Sequence, residues 1–183
     1  QTRGWFFFFH SIAAMCFDSI AFKNVVSNGL VLDKNGQKMS KRLGNAVDPF
    51  MTLDQHGADA TRWYMVSNAN PWENLKFDME GLEETKRKFF GTLYNTYSFF
   101  SLYANIDKFY HKEKNVPIQD RPEIDQWILS ALHSMIKEAD QAYAEYEPTV
   151  AARAIESFVD EKLSNWYVRL CRRRFWKPSI NED

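Results

Sequence analysis

Apolar positions in this chain follow two regimes. From Gly4 to Phe17, "GWFFFFHSIAAMCF" is almost unbroken hydrophobic sequence and suits a buried helix. "FKNVVSNGLVLD" (22–33) has the β-branched content and polar ends of strand material, interrupted at Asn28-Gly29. "VDPF" (47–50) carries a proline that breaks a regular element. "GADATRWYMVSNA" (57–69) reads as a short helix entered through Gly57 and Asp59, and "NPWENLKFD" (70–78) as irregular or extended.

From Met79 the period becomes helical. Leu82, Phe89, Phe90, Leu93, Tyr97, Phe100 and Tyr103 recur on one face, predicting helix to about residue 109. After the linker "HKEKNVPIQDRP", Asp120 and Glu123 stand at capping-box spacing. The helix that follows has an apolar face of Ile124, Trp127, Ile128, Leu132, Met135, Ala139, Ala142 and Tyr146. A last helix, Thr149 to about Trp176, lines up Ala151, Ala154, Ile155, Phe158, Leu163, Trp166 and Leu170. The expected architecture is mainly α: a short mixed α/β piece followed by a three-helix segment of a bundle. No internal repeat or low-complexity tract interrupts it.

Composition narrows the class. The chain has 183 residues, 45% hydrophobic and 16% aromatic, enough for a packed core and incompatible with a disordered tail. A net charge of -1 gives no global attraction to nucleic acid, so such binding must come from local patches. Two cysteines, Cys16 and Cys171, make no disulfide framework, which favours a reducing, intracellular setting. His10, His56, His111 and His133 are scattered, so no metal site is expected. The apolar start is too short and too polar at its ends to span a bilayer, and it lacks signal-peptide features. It reads as a helix of a longer protein, and the chain as an internal fragment.

The chemically distinctive stretch is "NGQKMSKRLGN" (35–45), with Lys38, Lys41 and Arg42 between Gly36 and Gly44. Ammonium groups on a flexible loop can neutralise charge building on a leaving pyrophosphate. The spacing is not that of a Walker A loop. On charge alone the alternative is a solvated basic turn.

"KMSKR" resembles the KMSKS signature of the class I aminoacyl-tRNA synthetases, within the longer match "NGLVLDKNGQKMSKRLGN". "QTRGWF" resembles the segment that marks the isoleucyl branch of that family. "GADATRWYMVSNANPW" and "IDQWILSALH" with "NWYVRLCRRRFW" continue the likeness in the same order. The resemblance covers essentially the whole chain.

It implies the C-terminal remnant of a Rossmann-type catalytic domain with the lysine loop over 1–50, and a connecting, stem-contact-like segment over 51–78. The start of a helical anticodon-binding domain would occupy 79–183. By this resemblance, the parent enzyme would activate isoleucine with ATP and Mg2+ to isoleucyl-adenylate and pass it to tRNA(Ile). Lys41 would be the main nucleotide contact, Lys38 would support charge neutralisation, Ser40 would hydrogen-bond nearby, and Met39 would pack the loop down. Arg42 replaces the family's serine, which removes any role for a hydroxyl there. Gln1 and Trp5 match positions bordering the amino-acid and adenylate pocket. Without the resemblance, Trp5 among Phe6 to Phe9 reads as core.

The resemblance also says what to expect of this stretch by itself. The family's His-x-Gly-His element has no counterpart among the four histidines, so the fragment should not activate isoleucine alone. An apolar pocket discriminates weakly against one missing methylene, a limit for which the isoleucyl enzymes are the standard illustration. No residue here builds the editing site that compensates. Arg169, Arg172, Arg173, Arg174 and Lys177, beside Trp166, Tyr167 and Trp176, are candidates for RNA contact through phosphates and stacked bases. They equally complement the end of a helix dipole. Lys86 to Lys88 follow Glu83 and Glu84, which favours pairing on the helix surface. A monomeric, cytoplasmic parent is expected. The alternatives are a valyl or leucyl sister enzyme, a non-catalytic tRNA-binding helical module, and a helical scaffold whose basic loop is mere surface.

Overall fold

The computed structural model describes residues 3–110 and 116–176 and is mostly helical. Helix α1 spans Trp5–Phe17. Strand β1 (Val31–Leu32) precedes the lysine loop, which holds one 3-10 turn, Lys41–Leu43. Helices α2 (Pro49–His56) and α3 (Ala58–Asn68) follow, then β2 (Leu75–Lys76) and α4 (Met79–Thr85). A π-helical turn, Lys86–Phe90, runs into α5 (Gly91–Ile106). The rest is α6 (Glu123–Ala144), α7 (Pro148–Ser157), a π-helical stretch Phe158–Val168, and α8 (Arg169–Phe175).

The helical half therefore forms three rods, as the periodicity predicts. The first half has less regular structure than "FKNVVSNGLVLD" suggests: β1 is two residues long and pairs in parallel with β2, Val31 opposite Leu75. Gly29 explains the interruption. Its amide donates to the Pro71 carbonyl at 2.8 Å, and a Cβ there would lie 2.0 Å from the Glu73 carbonyl oxygen. The Asn74 side chain accepts from the Leu30 amide at 2.9 Å and continues the seam.

Pro49 starts an element instead of breaking one. It occupies the first turn of α2, where its missing amide is no loss, and Asp48 caps the helix by accepting from Phe50 and Met51. The capping box at Asp120 does not form. Pro122 confines Arg121 to extended backbone (ψ 154°) and itself becomes the N-cap, so Asp120 is left in a separate 3-10 turn, Ile118–Asp120. The Gln126 side-chain amide instead ties the first turn of α6 back to the preceding segment by donating to the Arg121 carbonyl at 2.7 Å.

Two cores matter for the site. One gathers Ala60, Tyr64, Leu75, Phe77 and Leu82, with Met39 and Val47 of the loop region packed on it. Tyr64 is its polar pin: the hydroxyl donates to the Lys76 carbonyl and accepts from the Asp78 amide. Burial, opposed by the Asp78 amide, raises the phenol above its ordinary range. The second core joins Phe89, Ile128, Phe158 and Val159, with Trp63 of α3 packed against it.

Helix α1 departs from expectation: none of its residues is buried, and Trp5, Phe8 and Met15 are largely exposed. It is apolar on all sides, and the described elements leave it uncovered.

Candidate functional site: the lysine loop and the basic helix end

The loop is a built structure. Asp33 opens it: its amide donates to the Gln37 carbonyl, and its own carbonyl accepts from Gly36. Gly36 sits at φ +78°, the left-handed region that glycine occupies without strain. One Asp33 carboxylate oxygen accepts from the amides of Asn35 (3.0 Å) and Gln37 (2.8 Å), and the other from the Asn45 side-chain amide (2.9 Å). Led by the Asn45 bond, these contacts hold the Asp33 carboxyl below its ordinary range.

Asn45 faces the other way with its oxygen. Oδ1 accepts from the Ser40 amide at 2.8 Å, while Nδ2 also lies 3.3 Å from the Lys38 carbonyl. The backbone at Lys38 and Ser40 is thus tied, through one side chain, to the turn that begins at Asp33. Gly44, at φ +68°, closes the 3-10 turn on the Lys41 carbonyl.

The structure brings Lys38, Ser40 and Lys41 together within this frame. Lys38, Lys41 and Arg42 are exposed, and their side chains make no hydrogen bond or ion pair among the described residues. Met39, between them, is half-buried against the Tyr64 core. Cations are therefore displayed on a backbone tied down at the Lys38, Ser40 and Lys41 carbonyls and at the Ser40 amide. Gln1 lies outside the described residues. Trp5 begins α1, is 69% exposed, and has its ring 5.6 Å from that of Phe9. No hydrogen bond or ring contact joins it to the loop among the described residues.

The basic helix end divides into two groups. Arg174 turns inward: its Nη1 donates to both Asp125 oxygens, at 2.8 and 3.0 Å, and the Tyr167 hydroxyl donates to Oδ1 at 2.7 Å. Burial pushes the Asp125 carboxyl up, but the Arg174 and Tyr167 hydrogen bonds outweigh it and the group stays below the usual carboxylate range. Burial, then Asp125, raises the Tyr167 phenol; the Asp125 bond keeps Arg174 firmly charged. Arg174 and Tyr167 are thus structural partners of α6, and nothing in the expected RNA set foresaw Asp125.

Arg169 and Arg172 instead line a groove of about 370 Å³ between α5 and the last rod, with Asn95, Thr96, Phe99, Ser164, Asn165 and Val168. The Arg172 guanidinium lies 5.3 Å from the Phe99 ring centre. Arg173 is exposed, Trp166 and Trp176 are more than half exposed, and Lys177 lies outside the described residues.

Trp166 and Leu170, expected on the apolar face, point to solvent because the π-helical stretch shifts the phase. The inward series becomes Val159, Leu163, Tyr167 and Cys171, four residues apart. Elsewhere Lys88 pairs with Glu84 at 2.6 Å on the helix surface. No helix is long and apolar enough to cross a membrane among the described residues. Nor does any group of three or more His, Cys, Asp or Glu there suit a metal ion.

Comparison with known proteins agrees with the loop's letters. Residues 1–78 match the family profile of class I tRNA synthetases (I, L, M and V), and residues 125–182 match the anticodon-binding domain of tRNA ligase. All 183 residues align with the isoleucine–tRNA ligase of Bacteroides fragilis at 64% identity, covering 16% of that protein. The isoleucine–tRNA ligase of Thermus thermophilus is 49% identical over the same residues, which cover 17% of it. In structure, 95% of the chain superimposes on 25% of the LeuRS chain of Agrobacterium radiobacter K84, solved as a ternary complex with tRNA and LeuAMS. That match, at TM-score 0.61 and 17% identity, speaks for the fold alone. The chain spans about a sixth of the length of the curated relatives it matches, and it belongs to the isoleucine–tRNA ligase family of class I tRNA synthetases.

Proposed function

We propose that this chain is the lysine-loop segment of an enzyme that activates L-isoleucine with ATP and transfers it to tRNA(Ile). What carries the reading is 64% identity to an isoleucine–tRNA ligase along the whole chain, the lysine loop included. Residues 1–50 form the C-terminal end of a Rossmann-type catalytic domain, 51–78 connect, and 79–183 begin the anticodon-binding domain. The parent is a cytoplasmic monomer.

In the activation step an isoleucine carboxylate oxygen bonds to the α-phosphorus of ATP, and the bond from that phosphorus to pyrophosphate breaks. Negative charge grows on the departing group. Lys41 meets it as the main contact, Lys38 adds a second ammonium, and the Ser40 hydroxyl hydrogen-bonds nearby. Such preorganised charge lowers the barrier because it strengthens as the transition state forms. In the full enzyme, magnesium would screen the phosphates of the nucleotide; no group of three or more His, Cys, Asp or Glu among the described residues is placed to hold it. Trp5, with Gln1, borders the amino-acid pocket once the remaining enzyme covers α1. By itself this segment does not catalyse activation.

At the other end, Arg169 and Arg172 hold RNA phosphates along their groove, and exposed Trp166 and Trp176 offer stacking faces. Amino-acid-dependent ATP–pyrophosphate exchange by the full-length protein, with isoleucine, valine and leucine offered separately, tests the substrate. Exchange led by isoleucine is expected; exchange led by another amino acid assigns the chain to a sister enzyme.

A further inference from the structure

The clasp between Asp33 and Asn45 goes beyond the lysines themselves. Ser40 offers an N–H, which only an acceptor can satisfy, and Asp33 offers a carboxylate oxygen, which only a donor can satisfy. The two lie on opposite ends of one primary amide. Asparagine is the short side chain carrying both, and the two neighbours dictate which way its amide faces. Asp33, in turn, spends its other oxygen on the Asn35 and Gln37 amides at the base of the turn. A single chain of hydrogen bonds therefore runs from the first turn of the loop to the amide of Ser40, the residue between the two lysines' backbones. Met39 anchors the same stretch through apolar contact.

We propose that Asn45 and Asp33 are positioning residues for catalysis: their clasp holds the Lys38–Lys41 backbone in the geometry from which the ammonium groups reach the pyrophosphate. The inference rests on the lysine-loop reading above. The clasp touches no substrate and acts only through the lysines. Losing it leaves amino-acid binding intact and removes aim from charges whose effect depends on aim; misplacement by about 1 Å can cost on the order of 100-fold in rate.

The test is steady-state ATP–pyrophosphate exchange in the full-length ligase. Four proteins are compared: wild type, Lys41→Ala, Asn45→Asp, and the reciprocal pair Asp33→Asn with Asn45→Asp. Asn45→Asp sets two carboxylates face to face and opens the clasp. The reciprocal pair restores a donor facing an acceptor, keeps acceptors for Ser40, Asn35 and Gln37, and gives up only the longer contact to the Lys38 carbonyl. The expected result for Asn45→Asp is a kcat lower by at least ~10-fold with the KM for isoleucine unchanged. The reciprocal pair should regain several-fold of that loss. Thermal unfolding of each variant separates lost aim from lost fold, since the reciprocal pair decides the matter even if the single variant is unstable. Wild-type kcat in Asn45→Asp, or no recovery in the reciprocal pair, overturns the clasp while leaving the lysine reading in place. Absence of isoleucine-dependent exchange in the wild type, or full exchange in Lys41→Ala, overturns the lysine reading itself.

Discussion

The indole Nε1 of Trp63 donates to Oε1 of Glu156 at 2.6 Å, and the same ring stacks on Phe89 at 4.4 Å, 10° from parallel. One residue of α3 is thus bound to the last rod through its polar edge and to the first rod through its face. Beside it, α7 receives the open end of α3: the single Thr149 hydroxyl proton is shared between the Val66 and Ala69 carbonyls, at 2.7 and 2.9 Å, and Arg153 donates to those of Ser67 and Asn68. These are the carbonyls a helix leaves without partners at its C-terminus. The core that supports Met39 of the loop includes Ala60 and Tyr64 of this same helix. The bundle therefore holds the floor on which the lysine loop rests.

Thr149 is fully buried, so its hydroxyl cannot be replaced by water. Thr149→Val keeps the shape and removes the donor, and should destabilise the protein by ~1–3 kcal/mol. Denaturant unfolding of wild type and variant measures this; equal midpoints would refute the role.

Asp125 gives a pH-dependent counterpart. Its carboxyl is held below the ordinary value of 3.8, so its contribution is present above that pH and is lost as pH falls through the lower folded value. Asp125→Asn should therefore destabilise at neutral pH, and the difference from wild type should shrink as the pH drops below about 4. Unfolding curves from pH 7 to pH 2.5 check the sign; a constant difference across that range would contradict it.

Gly29 permits the approach of 29–32 to 71–76. Gly29→Ala places its methyl carbon against backbone, not a movable side chain, and should cost ~1–3 kcal/mol as the seam is forced apart. Thermal unfolding reads the loss, and an unchanged midpoint would show that the seam yields freely.

The basic helix end separates by role. Arg169→Ala with Arg172→Ala should weaken tRNA binding by the full-length ligase and lower its salt slope by about 2, leaving the fold intact. Arg174→Ala should instead destabilise the Asp125 cluster. Filter binding across a salt series, with unfolding midpoints, distinguishes the two; identical behaviour of both sets would contradict the division.

Legibility in the sequence followed the range of the interactions involved. The three rods were readable because their burial repeats locally, and the loop was readable because its letters and glycines are contiguous. Asp120 misled because a following proline outranked its capping spacing. Trp166 and Leu170 misled because an ideal helical period carries no sign of a π-helical stretch, and the same shift hid Tyr167 and its partner Asp125. The Asp33–Asn45 clasp spans twelve residues and is a matter of complementary donors and acceptors, which charge counting around the lysines passes over. Helix α1 reads as core because its residues are core-like, whereas burial depends on neighbours, and the described residues place none over it.

If the exposed lysines act on the departing pyrophosphate, removing one of them must slow activation itself. The most direct test is isoleucine-dependent ATP–pyrophosphate exchange by the full-length ligase carrying Lys41→Ala. The expected result is a fall in kcat of about 100-fold or more with little change in the KM for isoleucine. Exchange at the wild-type rate would contradict it and leave the loop as a basic surface turn.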